Sequence, residues 1–212
     1  MKISLNRISL FYLTFSAVLY ISFALYLYQT DVSFFRANVG IITAFLLFVP
    51  RLFYGQIEFL RFFSLNALAG FEIIVTTMIS LNHLGALGFY ESSQYYDMFL
   101  HFFLPFFITL ILAGIFGADA YLHQKYNLRS IQIKALGLTI FLIVFWETFE
   151  YFGDQIFGTH MYGQTGESYD TLYDVLVGIS SVLIVYFINQ RYLRKIILWI
   201  TNSAPTKSVK DS

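Results

Sequence analysis

Runs of apolar residues, each about as long as a bilayer is thick, dominate this chain and restrict what it can fold into. They lie at roughly 8–28, 34–54, 64–86, 97–118, 134–154 and 171–190 of the 212 residues. A helix crosses the hydrocarbon core in about 20 residues. A soluble domain leaves about a quarter of its residues charged, whereas here 12% are charged and 58% are hydrophobic. The ten-residue apolar and polar alternation of an outer-membrane barrel is missing, so the spans read as helices. The expected fold is all-α, a polytopic transmembrane bundle of about six spans. Residues 1–200 are expected to form a single domain and 201–212 a polar, disordered tail. Lys2 and Arg7 precede the first run, which is too long for a signal-peptide core and has no small-x-small cleavage site after it. It reads as a retained helix.

Positive charge orients the bundle, because Lys and Arg concentrate in cytoplasmic loops. In a six-span arrangement, twelve of the thirteen Lys and Arg residues fall on one side, and only Arg36 falls on the other. Both termini are therefore expected in the cytoplasm, with the protein a multi-pass component of a bacterial plasma membrane. The links His83–Tyr96 and Gly153–Tyr169 carry no Lys or Arg and are placed outside. The second of these is long and has four glycines, as functional loops often do.

Several function classes drop out. The formal net charge is zero, which argues against a nucleic-acid partner. There is no cysteine, so disulfides, thiolate chemistry and sulfur-ligated metals are excluded. Nothing matches a Walker A loop, a dinucleotide fingerprint, a His-Glu-x-x-His zinc helix or a serine nucleophile elbow.

What is left is a set of ionisable residues at the outer ends of three runs. Glu147, Glu150 and Asp154 are spaced three and four apart, so a helix puts them on one face. Asp97 and His101, and likewise Asp170 and Asp174, are separated by four. A carboxylate beside an imidazole can orient it as a base or as a metal ligand. Asp170 also suits plain helix capping, and Asp97 suits the positive end of a helix dipole. Glu147 and Asp174 lie deeper, and intramembrane carboxylates are costly unless they serve a purpose. Glu72, in the third run, stands apart and is expected to pair with Arg51 or Arg61 or to line a cavity.

The segments Tyr96-Asp97-Met-Phe-Leu-His101-Phe, Trp146-Glu147-Thr-Phe-Glu150-Tyr-Phe-Gly-Asp154 and Asp170-Thr-Leu-Tyr-Asp174 resemble the signature of the YjdF-like bacterial membrane proteins. More distantly they are similar to the VanZ-like family associated with glycopeptide resistance. The resemblance covers about Gln94 to Tyr186 and implies a shared arrangement of these motifs, with no settled reaction attached. Both families often place Asn or Asp four residues after the second aspartate, with Gly three later. Here those positions are Gly178 and Ser181, so any ligand role there is lost or taken over by Ser180 or Ser181.

The leading expectation is an external divalent-cation site built from Asp97, His101, Glu147, Glu150, Asp154, Asp170 and Asp174, with Glu147, His101 and Asp174 nearest any chemistry. Oxygen-rich ligands favour Mg²⁺, Mn²⁺ or Ca²⁺, with Zn²⁺ open if His160 joins His101. A metal-dependent membrane hydrolase or transferase would meet a lipid headgroup or lipid-linked envelope intermediate at that depth. The alternatives are a proton- or cation-coupled transporter, for which Glu72 is the evident stepping stone, and a non-enzymatic envelope protein.

Overall fold

A computed structural model describes residues 4–30, 34–56, 63–85, 93–157, 170–188 and 190–201. Among these the chain is helical: α1 (Leu5–Thr30), α2 (Phe34–Leu46), α3 (Val49–Leu52), α4 (Leu65–Leu84), α5 (Gln94–Leu122), α6 (Leu128–Phe157), α7 (Asp170–Phe187) and α8 (Gln190–Thr201). Each expected run contains helix among the described residues. The tail from 202 onward, Arg61, His160 and most of the Gly153–Tyr169 link lie outside the described residues.

Four of these helices, α1, α4, α5 and α6, are long and apolar enough to cross a membrane. A fifth crossing is reached only by taking α7 and α8 together, as a pair bent by 88°. The second run is a shorter apolar helix over 37–52. The break within it follows from Pro50: α2 stops at Leu46, whose carbonyl would need the N–H that proline lacks. With bilayer-length apolar helices and large hydrophobic side chains such as Phe11, Phe45, Phe141 and Phe145 turned outward, the chain is a multi-pass membrane protein.

Contacts divide the chain into two compact units, Met1–Ser80 with Leu198–Ser212, and Leu81–Ile197. In the first, α1 buries Ser9, Leu13, Ser16, Ala17, Tyr20, Ala24 and Leu27, a seam at helical spacing. Small residues let backbones approach where lipid offers no hydrophobic drive. Ala24 and Leu27 meet Ala37 of α2, and Leu13, Ala17 and Tyr20 meet Ala44 and Leu47. The Tyr20 hydroxyl reaches Ser80 of α4 at 2.6 Å.

Glu72 of α4, 1% exposed, is the costliest group in this unit, and its partner is Arg51 of α3. The guanidinium grips it in a fork: Nε donates to one carboxylate oxygen at 2.9 Å and Nη2 to the other. Ser9 Oγ donates to the same carboxylate, and Arg51 Nη1 donates to Asn6 at 2.8 Å. Bidentate pairing with further hydrogen bonds is what makes a buried ion pair tolerable.

The second unit is built on aligned seams. α6 buries Ile131, Gln132, Ala135, Thr139, Ile143 and Glu147. α7 buries Asp174, Gly178, Ser181, Val182 and Val185. α5 contributes Leu100, Pro105, Thr109 and Ala113. Away from their ionisable ends these helices carry buried hydroxyls. Thr109 Oγ1 sits 3.0 Å from Thr139 Oγ1, and each also reaches a carbonyl one turn back on its own helix. Thr and Ser are small enough to pack, and back-bonding satisfies them, so hydropathy alone reads them as part of the apolar run.

Substituting Arg51 tests the buried fork. R51M strands Glu72 and should destabilise the protein by about 3 kcal/mol, seen as a lower apparent Tm in detergent. Adding E72Q should recover part of that loss. Equal melting of R51M and the wild type would contradict this role.

Candidate functional site

The seams of α5, α6 and α7 each end in ionisable residues, and within the second unit these converge on His101. The imidazole is largely buried, with a side-chain exposure of 13%. Its Nε2 lies 3.6 Å from Asp97 Oδ1 and 4.0 Å from Asp174 Oδ2. Its Nδ1 lies 3.4 Å from Glu147 Oε1. Glu147 and Asp174 are themselves buried, and Asp97 is half-buried.

Local structure explains each placement. Asp97 sits in the first turn of α5, where the helix dipole favours a negative charge, and i, i+4 spacing sets it beside His101. Glu147 continues the stripe of Thr139 and Ile143 and therefore faces inward, while Phe145 and Phe149 point away. Asp174 stands one turn before Gly178. A methyl group at Gly178 would come within 3.0 Å of Ile143 Cδ1, so the missing side chain lets α6 and α7 close together one turn from Glu147 and Asp174.

Possible ligand atoms fall into two groups that share His101. One is Asp97, His101 and Asp174; the other is His101, Glu147 and Glu150. Within each group the atoms lie within 4.8 Å of one another. Glu150 is half-buried, close to one turn along α6 from Glu147.

Of the seven residues expected to act together, five meet here: Asp97, His101, Glu147, Glu150 and Asp174. Asp154 lies on α6 and Asp170 opens α7, and the side chains of both are outside the described residues. Ser180 and Ser181 each bond back to their own helix. Their hydroxyls donate to the carbonyls of Val177 and Gly178, at 2.7 and 2.8 Å.

The spacing suits a cation. Two donors about 2.1 Å from one ion lie roughly 3.0 Å apart at right angles and up to about 4.2 Å apart when opposed. The Nε2 separations of 3.6 and 4.0 Å fall in that range and are longer than a good hydrogen bond. An imidazole presents its two nitrogens in diverging directions, so one ion cannot be held by both.

A family model described as "Predicted membrane protein (DUF2238)" matches residues 8–195. The chain belongs to this family. Its description agrees with the bilayer-length helices and covers the whole motif set, from Asp97 to Asp174. No curated protein and no solved structure matches the chain.

Gly178 offers a test that alters no ligand. G178V should push Ile143 aside, part α6 from α7 beside the cluster and cost about 1–3 kcal/mol. G137V is the control, because a side chain there meets nothing within 4 Å. A clear fall in apparent Tm for G178V alone is expected, and equal behaviour of the two variants would count against this close approach.

Proposed function

We propose that the protein binds one divalent cation on the Nε2 side of His101, with Asp97 and Asp174 as its carboxylate ligands. Glu147 then takes the remaining ring proton, on Nδ1. A neutral histidine donates metal-binding electrons from one nitrogen and a proton from the other, and a carboxylate on that second nitrogen fixes the tautomer and ring angle. The supporting observation is the opposed placement of these groups: Asp97 and Asp174 near Nε2, and Glu147 at 3.4 Å from Nδ1. Oxygen ligands beside one imidazole favour Mn²⁺ or Mg²⁺, with Zn²⁺ and Ca²⁺ next.

Electrostatics supports the same reading. Carboxylates brought this close raise one another's energy, and a shared cation offsets the repulsion. A cation there would act as a Lewis acid toward phosphoryl or carbonyl oxygen and would lower the pKa of bound water. The substrate we favour is a lipid headgroup or lipid-linked envelope intermediate, handled from the external face of a bacterial plasma membrane. The transport alternative is weakened by Glu72, whose carboxylate is clamped by Arg51 and Ser9 and so is poorly suited to pass a proton on.

Metal analysis of purified protein separates the roles. Wild type should retain close to one equivalent of Mn²⁺ after loading and desalting, and H101Q and D174N should retain almost none. E147Q should still bind, about 10- to 100-fold more weakly, as for an outer partner of a ligating histidine. Undiminished binding by D174N would overturn the assignment.

A further inference from the structure

Helix α8 is unlike the spans. Its sequence, Gln-Arg-Tyr-Leu-Arg-Lys-Ile-Ile-Leu-Trp-Ile-Thr, separates into an apolar face and a basic, aromatic one. Leu193 and Ile197 are buried against Ala113 of α5 and Ile131 and Ala135 of α6. Ile197 occupies the space a side chain would need at Gly117, where a methyl carbon would fall 2.2 Å from its Cδ1. The other face carries Arg191, Tyr192, Lys195 and Trp199, all exposed. Arg191, Lys195 and Trp199 follow one another at i+4 along one stripe, and the Lys195 ammonium lies 5.6 Å from the Tyr192 ring centroid.

The helix also turns away from the one before it, at 88° to α7. If α7 crosses the bilayer, α8 runs along its surface. The α5–α6 turn adds Lys125 and Arg129, both exposed, and Tyr126 of that turn packs against the Leu193–Ile197 cluster within electrostatic reach of Arg194. These segments, 119–129 and 190–201, hold five Lys and Arg residues and a single acid, Asp119, which pairs with His123 at 3.2 Å.

We propose that α8, with the α5–α6 turn, is an interfacial helix that binds anionic phospholipid headgroups of one leaflet. Its Arg and Lys side chains meet the phosphates, while Tyr192 and Trp199 sit at headgroup depth. The argument is charge complementarity together with the interfacial character of the aromatic rings: basic clusters on a surface-lying amphipathic helix attract acidic lipid, and Trp and Tyr prefer the membrane–water boundary. This surface is independent of the cation site.

The chain has two tryptophans, so W146F leaves Trp199 as the sole fluorophore of the full-length protein in vesicles. Phosphatidylcholine membranes would contain a small fraction of brominated phosphatidylglycerol or brominated phosphatidylcholine, with bromines either shallow or deep on the acyl chain. Shallow bromines should quench Trp199 more than deep ones, and the glycerol lipid should quench more than the choline lipid at equal mole fraction. R191Q/K195Q should bring that preference down about tenfold or to parity, as expected for two cations near a charged surface. R191K/K195R should keep it. Stronger quenching by deep bromines would make α8 part of a span and overturn the proposal. So would equal quenching by the two lipids, loss of preference in R191K/K195R, or its abolition by millimolar inorganic phosphate, which would identify a soluble anion as the ligand.

Discussion

The imidazole of His101, held among carboxylates of α5, α6 and α7, is the contact that joins the three helices at their ionisable end. Ionised groups inside a bilayer-length helix are expensive, and here Asp97, Glu147 and Asp174 lie within 4.0 Å of one ring. The cost is contained by geometry that gives each ring nitrogen its own carboxylate side, and in our reading by a cation on one of those sides.

The same logic extends inward from the site. Glu147 and Asp174 continue stripes that also hold Ile143, Thr139, Gly178 and Ser181. The packing that brings α6 and α7 together at Gly178 thus also sets the distance between the two acids. Arg51 and Glu72 solve a related problem in the first unit by different means, with a complete cation supplied by the chain itself. The contrast is informative: one buried carboxylate has a guanidinium fork, whereas the others gather around a group that is basic only weakly and can turn its second nitrogen to a metal.

Much of this was legible in the residues, and for identifiable reasons. The long apolar runs announced helices because a bilayer forces internal hydrogen bonding, and each of the six runs contains helix among the described residues. The i, i+4 pairs announced shared faces, which brought Asp97 to His101. Seeing that α5, α6 and α7 would meet at one level took the charge asymmetry of the loops as well. Other features lay below the resolution of such patterns. Which acid faces which ring nitrogen depends on rotamers and helix rotation, which spacing does not contain. The Thr109–Thr139 contact looked like part of an apolar run because hydropathy averages over single hydroxyls. The interruption at Pro50 was foreseeable from its missing N–H, yet the run was read through it. The basic face of α8 was counted only as charge for orientation, although its separation from Leu193 and Ile197 was present in the sequence.

The central claim is that His101 gives Nε2 to a cation, and magnetic resonance of the Mn²⁺-loaded protein addresses it most directly. Electron spin echo modulation should show a single directly coordinated imidazole nitrogen in the wild type. That signal should vanish in H101Q and persist in E147Q. A nitrogen signal that survives H101Q, or its absence from the metal-loaded wild type, would contradict the account.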